Sequence, residues 1–158
     1  MDGFLNSHRW GGSGIERVTF EEILKLIPKG SEVIELGAGK CSTLAFSQVY
    51  KLTSIEHNLE WCNLYPNVNY IHAPLVNGWY DLKVLKGRLP AKNKQKLIFI
   101  DGSNREGILK NLHLFNKKAT FMVHDTYRPA EHEFSIKLAK ALGREVRFFN
   151  TGDYFSII

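Results

Sequence analysis

The passage that most constrains this chain is Glu32-Val33-Ile34-Glu35-Leu36-Gly37-Ala38-Gly39-Lys40-Cys41-Ser42. A β-rich apolar run enters a turn carrying two glycines and leaves it on a helix start. Glycine lets the backbone approach a neighbour closely and adopt conformations closed to other residues. The segments that follow alternate in the same way, short apolar runs against amphipathic stretches, which is the pattern of an α/β sheet with helices on both faces.

The predicted strands after Glu32 to Leu36 are Leu52 to Glu56, Val68 to His72, Lys96 to Ile100 and Thr120 to Val123. Glu145 to Phe149 and Tyr154 to Ile158 are expected to pair through Asn150-Thr151-Gly152-Asp153 as an antiparallel edge. The predicted helices are a first one capped by Thr19 with Glu22 in a capping box, with Ile23, Leu24, Leu26 and Ile27 facing the core, then Ser42 to Val49 and Asn58 to Tyr65. Leu82 to Leu89, Glu106 to Phe115 and Glu131 to Leu142 follow, the last ended by Gly143. The expected fold class is α/β: a doubly wound, mostly parallel sheet with a C-terminal antiparallel strand pair.

Of the 158 residues, 44% are hydrophobic and 23% charged, the balance of a soluble globular domain. One compact domain over residues 18–158 is expected, preceded by a flexible lid segment over 1–17 in which His8-Arg9-Trp10-Gly11-Gly12-Ser13-Gly14 joins polar and aromatic groups to glycines. No second catalytic domain is expected at this length. Apolar runs fall well short of the ~18 residues that span a bilayer, and the polar start lacks a signal-peptide core, so no membrane partner and a cytoplasmic location are expected. Cys41 and Cys62 read as reduced thiols.

The net charge is +5, and six cations (Lys83, Lys86, Arg88, Lys92, Lys94, Lys96) fall in one acid-free stretch. That stretch has no aromatic residue to stack on a base, so it reads as a solvated loop and nucleic acid is not the expected partner. Nothing in the sequence sets an oligomeric state.

In a doubly wound sheet, ligands bind outside the carboxyl ends of the strands, so the residues after each strand are the candidates. Gly37 and Gly39 form the first turn, and Glu56 ends the next strand 19 positions on (56 minus 37), near the ~20-residue offset at which an acid grips ribose hydroxyls. Ser42 stands where a dinucleotide fingerprint carries its third glycine, and Glu35 adds negative charge beside any phosphate. A nucleoside cofactor without phosphates and with a cationic amino end fits better.

These residues resemble the first two motifs of the class I S-adenosylmethionine-dependent methyltransferases, and the resemblance covers nearly the whole chain. It implies a Rossmann-like fold and S-adenosyl-L-methionine as cofactor. Ile34-Glu35-Leu36-Gly37-Ala38-Gly39 with Ser42 resembles the turn that receives the methionine portion, Cys41 standing where the family has a third glycine. Ser54-Ile55-Glu56-His57-Asn58 resembles the ribose-binding strand end, and His72 and Ala73 fall near adenine. Small bacterial methyltransferase-domain proteins share the later segments, and some of similar pattern act on sugars or uronic acids. The implied activity is therefore O-methylation of a small polar or saccharide acceptor. Asp101-Gly102-Ser103-Asn104 replaces the Asn/Asp-Pro-Pro-Tyr motif of amine methylation.

Asp101, His124 and Asp125 are the candidate catalytic residues, two acids and an imidazole at strand ends from which a hydroxyl's proton can be taken. Asp101 also borders the cofactor. In metal-dependent O-methyltransferases, acids at the positions of Asp101 and Asp125 hold a divalent ion. Thr126 replaces the usual third oxygen ligand, which leaves a magnesium ion under-supplied, and metal-independent transfer is the expectation. Trp79 and Tyr80 are candidates for closing over the acceptor or adenine, and Arg105 and Arg128 for neutralising an anionic group on the acceptor. Two other readings stay open: an NAD(P)-dependent oxidoreductase, and a catalytically inactive nucleoside-fold binding module.

Overall fold

The computed structural model describes Trp10 and residues 15–102, 104–150 and 153–158. The strands β1 (Glu32–Leu36), β2 (Lys51–Glu56), β3 (Asn69–His72), β6 (Gln95–Ile100) and β7 (Thr120–His124) run parallel. A C-terminal hairpin, β8 (Arg147–Asn150) and β9 (Tyr154–Ile157), adds antiparallel to β7 and completes a seven-stranded sheet of order β3-β2-β1-β6-β7-β9-β8. The expected doubly wound sheet with an antiparallel edge is what the chain forms. Its pivot is the β1–β6 pair, in register from Val33 opposite Leu97 to Leu36 opposite Ile100.

Successive side chains of a strand point to opposite faces, and here both faces are apolar. Ile34, Ile98, Ile100, Phe121 and Val123 pack on one side; Val33, Leu97, Phe99 and Met122 pack on the other. Helices α1 (Arg17–Leu26) and α2 (Ser42–Ser47) cover the second face through Phe20, Ile23, Ala45 and Phe46. The first face is covered by α3 (Leu82–Leu85), α4 (Gly107–Asn111) and α5 (Pro129–Leu142) through Leu85, Ile108, Phe134 and Leu138. Gly143 ends α5 in the left-handed conformation, as its sequence position implies.

Local expectations fail where a distant partner or a strained residue intervenes. Helix α1 starts at Arg17 with no side-chain cap, and Thr19 lies inside it with its hydroxyl donated to Asp153 rather than to the helix's own first turn. Leu26 is 42% exposed and outside the core. The helix expected over 58–65 shrinks to a 3-10 turn at Leu59–Trp61, because the Asn58 side chain accepts from Glu60 N and Asn63 takes a φ of 67°. The stretch 82–89 is helical only as α3, and 106–115 divides into α4 and a 3-10 turn at Leu112–Leu114. An unforeseen hairpin, β4 (Leu75–Val76) with β5 (Trp79–Tyr80), follows β3.

Of the expected lid, residues 1–9 and 11–14 lie outside the described residues, as does the turn at 151–152. Trp10 packs on Phe20 at 5.4 Å between ring centroids, and Ile15 is fully buried. Both cysteines are buried, and among the described residues no helix is long and apolar enough to cross a membrane.

Gly37 has a φ of +95°, and a Cβ there would lie 2.4 Å from the α-carbon of Gly102. Gly30 has a similar φ of +76° but open space around it. Gly30→Ala should therefore cost about 1 kcal/mol for the left-handed backbone alone, and Gly37→Ala about 3 to 5 kcal/mol once backbone overlap is added. Urea denaturation of the two variants checks this, and equal midpoints would contradict it.

Candidate active site at the strand ends

Because the five strands are parallel, Leu36, Glu56, His72, Ile100 and His124 all end at one edge of the sheet. Two groups of residues lie along that edge, one around the first turn and one lining a polar cleft beyond β6 and β7.

The first turn is braced from below. Glu35 is fully buried, and its carboxylate accepts from Ser42 Oγ at 2.6 Å, Thr43 Oγ1 at 2.7 Å and Ser54 Oγ at 2.7 Å. Thr43 Oγ1 in turn accepts from Gly39 N at 2.9 Å, so the acid shapes the turn through a hydroxyl. Burial pushes the Glu35 pKa up to about 7 against the pull of the three hydroxyls, with the Asp101 charge adding to the rise. Glu35 and Ser42, expected to meet the cofactor, have no surface free to meet a ligand and act as supports.

Glu56 stands differently. Its Oε2 accepts from Ala38 N, inside the glycine turn, at 3.0 Å, and its Oε1 accepts from His57 N and Asn58 N at 2.7 Å each. This places a carboxylate against the first turn, as the 19-residue spacing implies. His72 Nε2 contacts the His57 carbonyl at 3.0 Å, and Ala73 N donates to the Glu56 carbonyl at 2.8 Å, so both tie β3 to the Glu56 side of the first turn, although Ala73, expected near adenine, is fully buried with no surface to meet a ligand. On the other side of that turn Asp101 N donates to the Leu36 carbonyl at 2.9 Å.

The polar cleft has a volume of about 380 Å³ and is lined by Asp101, Gly102, Arg105, Asp125, Arg128, Glu131 and Phe134 among others. Arg105 is its clamp. It is 7% exposed, and its guanidinium reaches Asp101 Oδ1 at 3.0 Å, Asp125 Oδ2 at 3.4 Å, Glu131 Oε1 at 3.4 Å and the His124 carbonyl at 2.6 Å. Its buried Nε–H has no partner among the described residues. Arg128 is half-exposed, donates to Tyr127 Oη and pairs with Asp125 at 3.2 Å. Asp125 holds a left-handed backbone, φ 61°, costing on the order of 1 kcal/mol.

His124 does not match its expected role as a base. Its Nδ1 lies 3.2 Å from Asp101 Oδ1 and its Nε2 lies 3.0 Å from Asp153 Oδ1. A neutral imidazole has one N–H, so two carboxylate partners call for the doubly protonated ring. Burial works against that charge, yet the hydrogen bonds and charges of Asp101 and Asp153 outweigh it and lift the pKa to about 10. Asp153, absent from the sequence-based site, is the missed member. It also accepts from Thr19 Oγ1 and Glu16 N, and although burial opposes ionisation, its bonds hold its pKa down to about 2. Its only sequence signal is an acid just before the last strand.

Asp101, His124 and Asp125 offer ligand atoms within 4.8 Å of one another, the geometry of a metal site. The donor set nonetheless does not fit a divalent ion. Metal ligands must be deprotonated, whereas both His124 nitrogens face acids and the two carboxylates are already engaged by Arg105 and Arg128. Trp79 is 5% exposed, and a Cβ on Gly107 would lie 2.1 Å from its ring, so it anchors the β4–β5 hairpin on α4. Tyr80 is 2% exposed with its hydroxyl toward Gly102.

The His124 pKa, ordinarily 6.5, is raised by folding to about 10, so its contribution to stability is complete below pH 6.5 and lost as pH rises through 10. Over that window the slope is at most ~1.4 kcal/mol per pH unit. Thermal melts should show wild type falling more steeply than Asp153→Asn, which starts less stable, so that the gap narrows toward pH 10. Parallel curves would contradict the charged imidazole.

No protein-family model matches the sequence, and no curated protein does. Solved structures match its fold. A TehB-like SAM-dependent methyltransferase from Corynebacterium glutamicum aligns at a TM-score of 0.53 and 14% identity, over 87% of this chain and 83% of that one. An Anabaena variabilis protein from an antibiotic biosynthesis pathway, to which methyl transfer is ascribed, aligns at 0.54 and 16% over 84% of this chain. The chain spans 63% of that protein's length. A spermidine synthase from Thermotoga maritima aligns at 0.54 and 14%, over 84% of this chain and 54% of that one, so one fold serves more than one named reaction. The chain has the fold of the class I S-adenosylmethionine-dependent methyltransferases.

Proposed function

We propose that the protein transfers a methyl group from S-adenosylmethionine to an oxygen of a small polar acceptor, a sugar or sugar acid among the candidates. The observation that carries the cofactor reading is the Glu56 carboxylate seated 3.0 Å from Ala38 N within the glycine turn. One acid and one bare backbone turn thus share an edge, the first suited to two ribose hydroxyls, the second to the close approach of an amino-acid chain.

Glu56 would hold the ribose, Gly37 and Gly39 the methionine portion, and His72 the adenine side. When bound, the cofactor supplies a methyl group activated on a sulfonium. The acceptor lies in the cleft beyond β6 and β7, whose 380 Å³ suits a single ring. Asp125, 22% exposed and set on its left-handed backbone at the cleft wall, takes the proton from the attacking hydroxyl. The unpartnered Nε–H of Arg105 and the half-exposed Arg128 hold the acceptor's oxygens. The imidazolium of His124 fixes Asp101 at the border between donor and acceptor. Three cationic groups at the acid-rich edge make this site independent of added metal. Against the oxidoreductase reading stands the absent third glycine; the inactive-module reading predicts binding without turnover.

Titration calorimetry with S-adenosylhomocysteine should show binding that Glu56→Ala weakens by about 1 to 3 kcal/mol. Methyl-labelled cofactor, offered with sugars, uronic acids, phenols and short RNAs, with and without magnesium, should label a hydroxyl-bearing small acceptor in both conditions. Asp125→Asn should then lose ~10² to 10⁴ in turnover while keeping cofactor affinity. Label on RNA alone, or full activity in Asp125→Asn, contradicts this assignment.

A further inference from the structure

Tyr80 is 2% exposed, and its hydroxyl is buried with no hydrogen-bond partner among the described residues. Buried phenols almost always find a partner, and an orphaned one costs about 1 to 3 kcal/mol. The ring is not there by default. Its backbone pairs with Leu75 across the hairpin, Asp81 N donates to the Pro74 carbonyl at 2.9 Å, and neighbouring Trp79 is wedged on Gly107.

The hydroxyl is aimed at the junction of the two loops that form the crevice floor. A Cβ placed on Gly102 would lie 2.5 Å from Tyr80 Oη, 2.9 Å from the Leu36 carbonyl oxygen and 3.1 Å from Gly37 Cα. The group therefore sits where the ends of β1 and β6 meet, between Glu56 on one side and Asp101 on the other.

We propose that the Tyr80 hydroxyl donates a hydrogen bond to the nucleoside half of the bound cofactor; this rests on the reading of the crevice as an S-adenosylmethionine site. Burial, then the charges of Glu56, Glu35 and Asp101, hold its pKa above the ordinary 10, so it is a donor at every working pH. A donor among three acids is poorly placed for the cofactor's carboxylate, which those acids repel, and well placed for a neutral acceptor. Glu56 takes hydroxyl protons from a ribose and leaves the hydroxyl oxygens their lone pairs, which a phenol can fill. The Glu56 carboxylate accepts from Ala38 N at 3.0 Å, an amide that is released when the acid turns to a ribose.

The test is Tyr80→Phe, which keeps the ring and its packing. Without ligand the variant should melt at or above the wild-type temperature, because the hydroxyl it loses has no partner. Calorimetry should show about three- to tenfold weaker binding of both S-adenosylhomocysteine and 5′-methylthioadenosine, which lacks the amino-acid half. Wild-type binding with unchanged affinity in Tyr80→Phe overturns the contact alone. Loss confined to S-adenosylhomocysteine moves the contact to the amino-acid half and overturns the nucleoside assignment. A marked drop in the ligand-free melting temperature shows a structural hydrogen bond and overturns it as well. Failure of wild type to bind either compound removes the cofactor reading, and the contact with it.

Discussion

The backbone contact between Gly37 and Gly102 is the constraint on which the rest of the site depends. Parallel pairing of β1 with β6 brings two strand-end loops side by side at the point where the sheet's connections diverge. No side chain fits between them, since a Cβ on either glycine would meet the other's backbone at 2.4 to 3.1 Å. The loops therefore close into one floor. Below it, Glu35 and its three hydroxyls hold the first turn in shape; beside it, Trp79 and Tyr80 pin the β4–β5 hairpin against α4 and Gly102. A floor of bare backbone flanked by acids suits the phosphate-free, ribose-bearing ligand proposed for it.

The charge at this edge is arranged in compensation. Asp101, Asp125, Glu131 and Asp153 face Arg105, Arg128 and the His124 imidazolium within a few ångströms. Removing the buried Arg105 would leave Asp101 and Glu131 short of a cation, which explains how the acids coexist in so small a volume. The protein's net positive charge says little about this site. Arg88 and Lys94 from the lysine-rich stretch join Lys51 and Glu32 around a separate cleft of about 530 Å³ at the opposite end of the strands. These two cations lie away from the strand-end cleft, whereas Lys83 of the same stretch lines a cleft with Trp79, Tyr80 and Asn104.

What could be read from the sequence follows how local each signal is. Strands β6 and β7 announce themselves because both faces of a central parallel strand are buried, so Leu97 to Ile100 and Phe121 to Val123 are unbroken apolar runs. The Gly37 to Glu56 spacing is legible because it reflects a fixed crossover length. Thr19 misleads because its hydroxyl answers to Asp153, 134 residues away, and no helix rule sees that far. The stretch 58–65 reads as a helix, but Asn63 adopts a left-handed backbone that no periodicity reveals. The β4–β5 hairpin has strands of two residues, too short for alternation to register. His124 ends β7 where the sequence puts it, but the protonation of its ring depends on Asp153 arriving from the C-terminal hairpin, which no local pattern shows.

Hydrogen–deuterium exchange on the whole protein, with and without S-adenosylhomocysteine, tests the central claim most directly. The account predicts slowed exchange in the first turn around Ala38 and Gly39 and in the strand-end segment around His57 and Asn58, with the opposite end of the sheet around Lys51 and Lys94 unchanged. Protection at that opposite end, or none at the first turn under saturating ligand, would contradict it.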